Sequence, residues 1–185
     1  TKLGRSELRR FRRHMQIIFQ DPISSLNPRL SIAAIITEPM KVHGIGENQE
    51  ERIEIARDLL RQVQMEEDAL WRYPHEFSGG QRQRIGIARA LCLDPSFIVC
   101  DEITSALDVS VQAEILKMLL ALRAERGLTL LFITHNIGVV EYVSDRTAVM
   151  HQGRIVEQGV TADIINRPQH AYTQQLIAAV PRVAL

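Results

Sequence analysis

Cysteine is almost missing from this 185-residue chain: Cys92 and Cys100 are the whole complement. The first falls in an expected helix and the second in an expected buried strand, so the pair reads as reduced thiols of a cytoplasmic protein, not as a disulfide framework. Net charge is missing too. Lysine plus arginine (22) balance aspartate plus glutamate (22), and nothing in the charge points to nucleic acid or an anionic membrane surface as the main partner. No uninterrupted apolar run approaches the ~20 residues that cross a bilayer. The start, Thr1 to Arg13, is basic and polar, unlike a signal peptide. Work at a membrane would therefore need a partner subunit. What is present is an apolar fraction of 45%, enough for a domain of ordinary size with a real core.

The apolar residues are arranged in two periods. Met15 to Phe19 is a short apolar run that reads as a strand feeding a loop, and Phe97 to Cys100 and Leu128 to Ile133 are short continuous runs, the pattern of buried parallel strands. Between the last two lies a helical pattern carrying Val111, Ile115, Met118, Leu119 and Leu122, a crossover between parallel strands. From Ser31 to Trp71 the pattern is helical throughout. Asn48 with Glu51 three residues on has the form of a capping box, and Ile53, Ala56, Leu59, Leu60 and Val63 recur at helical spacing. Tyr73-Pro74 breaks that run, and Arg82 to Leu93 forms a further helix that Asp94-Pro95 stops. Ala148 to Met150 and Arg154 to Gln158 around Gly153 predict a hairpin, and Tyr172 to Val180 a short terminal helix. The expected fold class is α/β: a parallel sheet core with an inserted helical subdomain. The expected segments are 24–93 for the helical subdomain, 94–167 for the remaining core and 168–185 for the terminal helix.

Four places carry candidate chemistry. Phe97 to Cys100 ends in Asp101-Glu102, adjacent carboxylates with no basic neighbour in sequence; in phosphoryl transfer the first of such a pair can hold Mg²⁺ and the second polarise attacking water, the ordinary alternative being two solvated acids after a strand. Ser78-Gly79-Gly80-Gln81 at a helix start combines a hydroxyl, side-chain-free backbone and N–H groups aligned with the helix dipole, which suits a phosphate; a plain N-cap serine and turn is the alternative. His135 follows the strand Leu130 to Thr134 at its carboxyl end, where ligands of parallel α/β sheets gather. Gln20 likewise ends a strand.

Gln20, Phe77-Ser78-Gly79-Gly80-Gln81, Phe97 to Glu102, Ser105-Ala106-Leu107-Asp108 and His135 stand in the order and approximate spacing of an ABC ATPase, and nearly the whole chain takes part in the resemblance. Only Phe77, for the commoner leucine, departs from the usual signature. Gln20-Asp21-Pro22, Ser25-Leu26-Asn27-Pro28-Arg29 and Pro168-x-His170-x-Tyr172-Thr173 resemble the dipeptide/oligopeptide/nickel importer ATPases more narrowly. The resemblance implies ATP and Mg²⁺ as cofactors, with Asp101 and Gln20 at the metal, Glu102 activating water and His135 at the γ-phosphate. Ser78, Gly79, Gly80 and Gln81 would hold the ATP of a second nucleotide-binding domain, and Asp108 would link the two sites. It also implies transmembrane permease subunits as partners, a solute-binding protein indirectly, no nucleic acid, and a peripheral place on the cytoplasmic face of the inner membrane.

The same resemblance calls for a phosphate-binding loop, G-x-x-x-x-G-K-[ST], upstream of Gln20. Thr1 to Phe19 holds one glycine, Gly4, and Gly-Lys-Ser/Thr occurs nowhere in the chain. The basic run Arg9, Arg10, Arg12, Arg13 has no glycine cradle and reads as a solvated approach to the first strand. The expectation is thus an incomplete nucleotide-binding domain, an ATPase in its full-length form and inactive as this chain alone. Two other readings stand beside it: a non-hydrolysing partner that contributes only its signature face, and a soluble non-transport ABC ATPase.

Overall fold

A computed structural model of the chain describes residues 4–21 and 25–179. They form two compact units, Thr1–Ile133 and Thr134–Leu185. The break after Ile133 falls inside the 94–167 segment of the sequence reading, whereas the helical stretch from 25 to 93 lies wholly within the first unit; Ser24 and residues 180–185 lie outside the described residues.

The first unit opens with α1 (Arg5–His14), a helix with no buried residue. The basic run expected as a solvated approach to the first strand is helical. Helix ends supply the missing reason: Glu7 accepts a hydrogen bond from the Gly4 N–H (2.9 Å), and Arg12, Arg13 and His14 occupy the last turn, where cations meet the negative end of the dipole. A parallel sheet follows, in the order β1 (Met15–Ile18), β2 (Phe97–Asp101), β3 (Thr129–Ile133), with Ile17 beside Val99 and Val99 beside Leu131. Ile18, Ile98 and Cys100 point into the core. Their alternates do not: Met15, Ile17, Leu131 and Ile133 are 39–52% exposed. The expectation that Leu128 to Ile133 is a buried strand is corrected accordingly, because helices of this unit cover one face of the sheet only and strand side chains alternate faces.

Between β1 and β2 the described chain from 31 to 71 is helical, with no strand. Helix α2 (Ile32–His43) is capped by Ser31, whose Oγ accepts from the Ala34 N–H (3.3 Å), and ends at Gly44 in the left-handed conformation (φ 68°). Helix α3 (Gln49–Gln62) is capped by Asn48, whose Oδ1 accepts from the Glu51 N–H (2.9 Å). The capping box expected there is only half formed, since the Glu51 carboxylate reaches back to the Glu47 N–H (2.7 Å) and not to Asn48. Two 3₁₀ turns, Glu67–Trp71 and Pro74–Glu76, lead to α4 (Gly79–Leu91). Ile85, Ile87, Ala88 and Leu91 of α4 join Ile115 and Leu119 of α5 (Val109–Arg126) against the buried sheet face. At ~1.5–3 kcal/mol for each fully buried aliphatic side chain, this shared core is what fixes α4 and α5 on the sheet.

The second unit contains α6 (Ile137–Val143), the antiparallel hairpin β4 (Arg146–His151) and β5 (Arg154–Val160), α7 (Thr161–Asn166) and α8 (Ala171–Ala178). The hairpin turns at Gln152-Gly153, both left-handed (φ 50° and 77°), the geometry that a right-twisted two-residue hairpin requires. Glu157 of β5 accepts from the N–H groups of Gln169 (2.8 Å) and His170 (3.0 Å), and Tyr172 stacks on His151 with ring centroids 3.8 Å apart. The Pro168-x-His170-x-Tyr172-Thr173 stretch is therefore the seam that fastens α8 to the hairpin. Val180, the expected end of that helix, lies outside the described residues.

Candidate nucleotide-facing site

Parallel pairing carries β1 and β2 forward side by side, so the residues that follow them meet. The Gln20 Nε2 donates to Glu102 Oε2 at 2.7 Å, across 82 residues of sequence, and lies 3.5 Å from the Ser105 Oγ. Ser105 Oγ in turn donates to the Glu102 carbonyl (2.9 Å), and the Ser105 N–H to the same oxygen (3.0 Å). Glu102 adopts φ 45°, a left-handed conformation rare for a residue with a side chain. Its N–H donates to the Ile133 carbonyl (2.9 Å), so β3, Ser105 and Gln20 together hold the strained residue in place. Nothing in a single sequence could have shown Ser105 as part of that support. Asp101 is the last residue of β2 and half-buried.

The chain after Gln20 is tied down from α4. Arg89 donates to the Ser25 carbonyl, and burial pulls the Arg89 pKa below the usual guanidinium range. In the Ser25-Leu26-Asn27-Pro28-Arg29 stretch, Leu26 is buried and Asn27 Oδ1 accepts from the Arg29 N–H (3.0 Å), an Asx turn that shapes the loop. Pro22 lies outside the described residues.

At the start of α4, Ser78 and Gln81 close on each other. Ser78 Oγ accepts from the Gln81 N–H (3.3 Å) and Gln81 Oε1 from the Ser78 N–H (3.0 Å), a complete capping box. Of the first-turn donors, those of Gly79 and Gly80 remain directed along the helix axis. Phe77 is buried beneath the Arg72 guanidinium, 4.4 Å from the ring centroid, so an aromatic ring fills the place of the commoner leucine. Asp108 precedes α5 and makes no side-chain cap bond there, which leaves its carboxylate at the surface. The glycines bring that region close: Cβ atoms built on Gly79 and Gly80 would meet Leu107 and Val111.

The structure thus gathers Gln20, Glu102 and Ser105 in one cluster beside Asp101, and sets Ser78 to Gln81 against the loop that carries Asp108. His135 belongs to the second unit, in the turn where Thr134 Oγ1 accepts from the Asn136 N–H (3.1 Å) and Asn136 caps α6. Among the described residues no group of three His, Cys, Asp or Glu side chains could hold a metal. Asp101 and Gln20 would be the residues to hold Mg²⁺, an ion that takes one or two protein carboxylates and completes its shell with water and substrate phosphates. With its Nε2 given to Glu102, Gln20 has the carbonyl oxygen left for a cation. No helix among the described residues is long and apolar enough to cross a membrane.

Residues 1–105 match the family model described as ABC transporter, and residues 156–184 the one described as oligopeptide/dipeptide transporter, C-terminal region. The oligopeptide transport ATP-binding protein OppF of Streptococcus mutans is 51% identical over 181 residues, 98% of this chain and 59% of that protein. OppF of Bacillus subtilis is 49% identical over 178 residues, 96% of this chain and 58% of the relative. The chain therefore spans a little over half the length of these relatives. Among solved structures, cbiO1 from Clostridium perfringens, described as part of the ABC transporter complex cbiONQ, superimposes with a TM-score of 0.77 at 25% identity, covering 97% of this chain and 69% of that one. A family model that matches residues 1–105, with the signature, the paired carboxylates and the α/β core in one chain, places this protein in the ABC transporter family.

Proposed function

We propose that the chain is part of an ATP-binding and hydrolysing subunit that energises uptake of peptides or a related small solute. The hydrogen bond from Gln20 to Glu102 supports this reading, because an amide whose oxygen would meet a metal and a carboxylate that would act as general base lie together after β1 and β2. Bound Mg²⁺ would neutralise phosphate charge there. Glu102 would accept the proton of the attacking water, Gln20 would orient Glu102, and His135 would hold the γ-phosphate. Ser78, Gly79, Gly80 and Gln81 would face the ATP of a second nucleotide-binding domain docked head to tail, with Asp108 linking the two sites. A cavity of about 370 Å³ lined by Phe19, Leu30, Ile35, Glu38, Pro39 and Arg89 lies beside the Gln20 loop and suits a helix of a permease subunit. The subunit would then sit peripherally on the cytoplasmic face of the membrane. The C-terminal match at residues 156–184 and the OppF relatives support peptides as the solute class.

The test is a complete transporter that carries these residues. Glu102→Gln keeps the shape of the side chain and removes its basicity, so Mg-ATP still binds while turnover falls by about 10²- to 10⁴-fold, the usual worth of a general base. Glu141→Gln and Asp145→Asn, in and just after α6, leave turnover within about twofold, as surface substitutions do. Unchanged turnover in Glu102→Gln, or an equal loss in either control, removes Glu102 from its role.

A second reading has its own observation. Ser78 to Gln81 forms a complete capped helix start, which fits a partner that lends its signature face to another subunit's nucleotide. A soluble non-transport ABC ATPase is disfavoured by the oligopeptide/dipeptide C-terminal match.

A further inference from the structure

Helices α4 and α5 meet along one seam. On α4 the contacting positions are Gly80 and Arg84, one turn apart; on α5 they are Val111, Glu114 and Met118. Arg84 is buried, and it donates to the Val63 carbonyl (3.1 Å), to Gln64 Oε1 (2.8 Å) and to Glu114 Oε2 (3.0 Å), with Met118 Sδ at 3.5 Å. This side chain fastens the middle of the seam. At its open end the Val111 side chain packs so closely on Gly80 that a Cβ there would lie 2.6 Å from Val111 Cγ1. Ordinary carbon contacts begin near ~3.5 Å, and a β-branched side chain in a helix has almost no second rotamer with which to step aside. Any side chain at 80 must therefore part the helix starts by roughly 1 Å. Gly79 is different. A Cβ there would touch Leu107 Cδ2 at 3.6 Å, an unstrained contact.

We propose that Val111 is a positioning residue for the nucleotide-facing signature: it seats Gly80 and so fixes the Ser78–Gln81 turn relative to Asp108. This rests on the reading of that turn as the anion site for a partner's ATP. Gly80 then has two separate reasons to be glycine, one facing the nucleotide and one facing Val111. A residue that only met the nucleotide would gain nothing from a change at position 111. A displacement of about 1 Å at a positioned group costs on the order of 10²-fold.

The experiment uses the chain mixed with a complete homologous nucleotide-binding domain that supplies its own Gly-Lys-Ser/Thr loop, and follows Mg-ATP binding by the mixture and thermal melting of the chain. Gly80→Ala weakens binding about 10²-fold and lowers the melting temperature more than Gly79→Ala does. Val111→Ala leaves a gap where Val111 packs on Gly80 and weakens binding only severalfold. In the double variant Gly80→Ala with Val111→Ala, both binding and melting return to the level of Val111→Ala alone. If the double variant binds as poorly as Gly80→Ala while melting normally, glycine is required by the nucleotide alone and the positioning role of Val111 is overturned. If Gly80→Ala melts no lower than Gly79→Ala, the seam does not exclude a side chain and the proposal falls. Should Gly80→Ala not fold at all, recovery of the fold in the double variant supports the clash and continued failure refutes it. Failure of the underlying reading looks different: the unmodified chain would then add nothing to Mg-ATP binding by the complete domain.

Discussion

Glu102 shows how much of a site can be legible in residue types and how much cannot. Two acids after an apolar strand point to metal-assisted chemistry, and the strand ends where the sheet geometry brings Gln20 into reach. Its left-handed backbone and the bonds from Ser105 and to Ile133 leave no trace in the sequence, because they depend on which loops the parallel register brings together. Arg84 was equally invisible. An arginine in a helix normally reads as a solvated cation, and only the position of α5 turns it into a buried tie. The cysteines were readable, since apolar neighbours announce burial. Both are buried and unpaired, and burial pushes each thiol up to about 12. The thiolate is the reactive form, so near pH 8 the folded chain should resist alkylation and label at both positions only when denatured. Rapid labelling of either thiol without unfolding would contradict the burial of that site.

Elements were legible where their apolar period is strong and obscure where stability comes from elsewhere. The helices from Ile32 to Gln62 and the Arg146–Val160 hairpin follow from spacing and turn chemistry. Helix α1 buries none of its residues and is tied at its ends and through Arg9, which donates to the Val42 carbonyl, so no buried apolar face announces it. β3 misled in the other direction, because Leu128 to Ile133 is apolar on both sides while only one is packed. The seam under α8 shows the value of a local polar clamp. The N–H groups of Gln169 and His170 donate to the Glu157 carboxylate and hold it below its ordinary range. A carboxylate whose pKa falls on folding stabilises the folded form above its unfolded value, and that contribution is lost as pH drops through the folded value. Acidification should therefore loosen the 168–173 stretch before the hairpin itself opens, and Glu157→Gln should do the same at neutral pH. Amide hydrogen exchange at Gln169 and His170 reads both effects; exchange that is unchanged in Glu157→Gln would show that the stack of Tyr172 on His151 suffices.

At the scale of the molecule, the paired carboxylates and the signature turn would, in the proposed reading, serve different nucleotides, and neither would replace a phosphate cradle. In that reading Glu102 and Gln20 would orient water and Asp101 would share a cation, but these 185 residues contain no Gly-Lys-Ser/Thr to neutralise the β- and γ-phosphates. The cationic residues of α1 offer charge without converging backbone N–H groups. The polypeptide alone is therefore expected to hydrolyse no Mg-ATP above background. It is also expected to associate, because Met15, Ile17, Leu131 and Ile133 present an apolar sheet face to water, and β1 and β3 each pair on one side only within the three-stranded sheet. Turnover and nucleotide affinity should be measured on the purified chain, then on its mixture with a complete homologous domain. Binding that appears only in the mixture supports the signature face as a working half-site. Robust hydrolysis by the chain alone, lost in Glu102→Gln, would mean that other residues grip the phosphates, and the division of labour between cradle, carboxylates and signature would have to be redrawn around them.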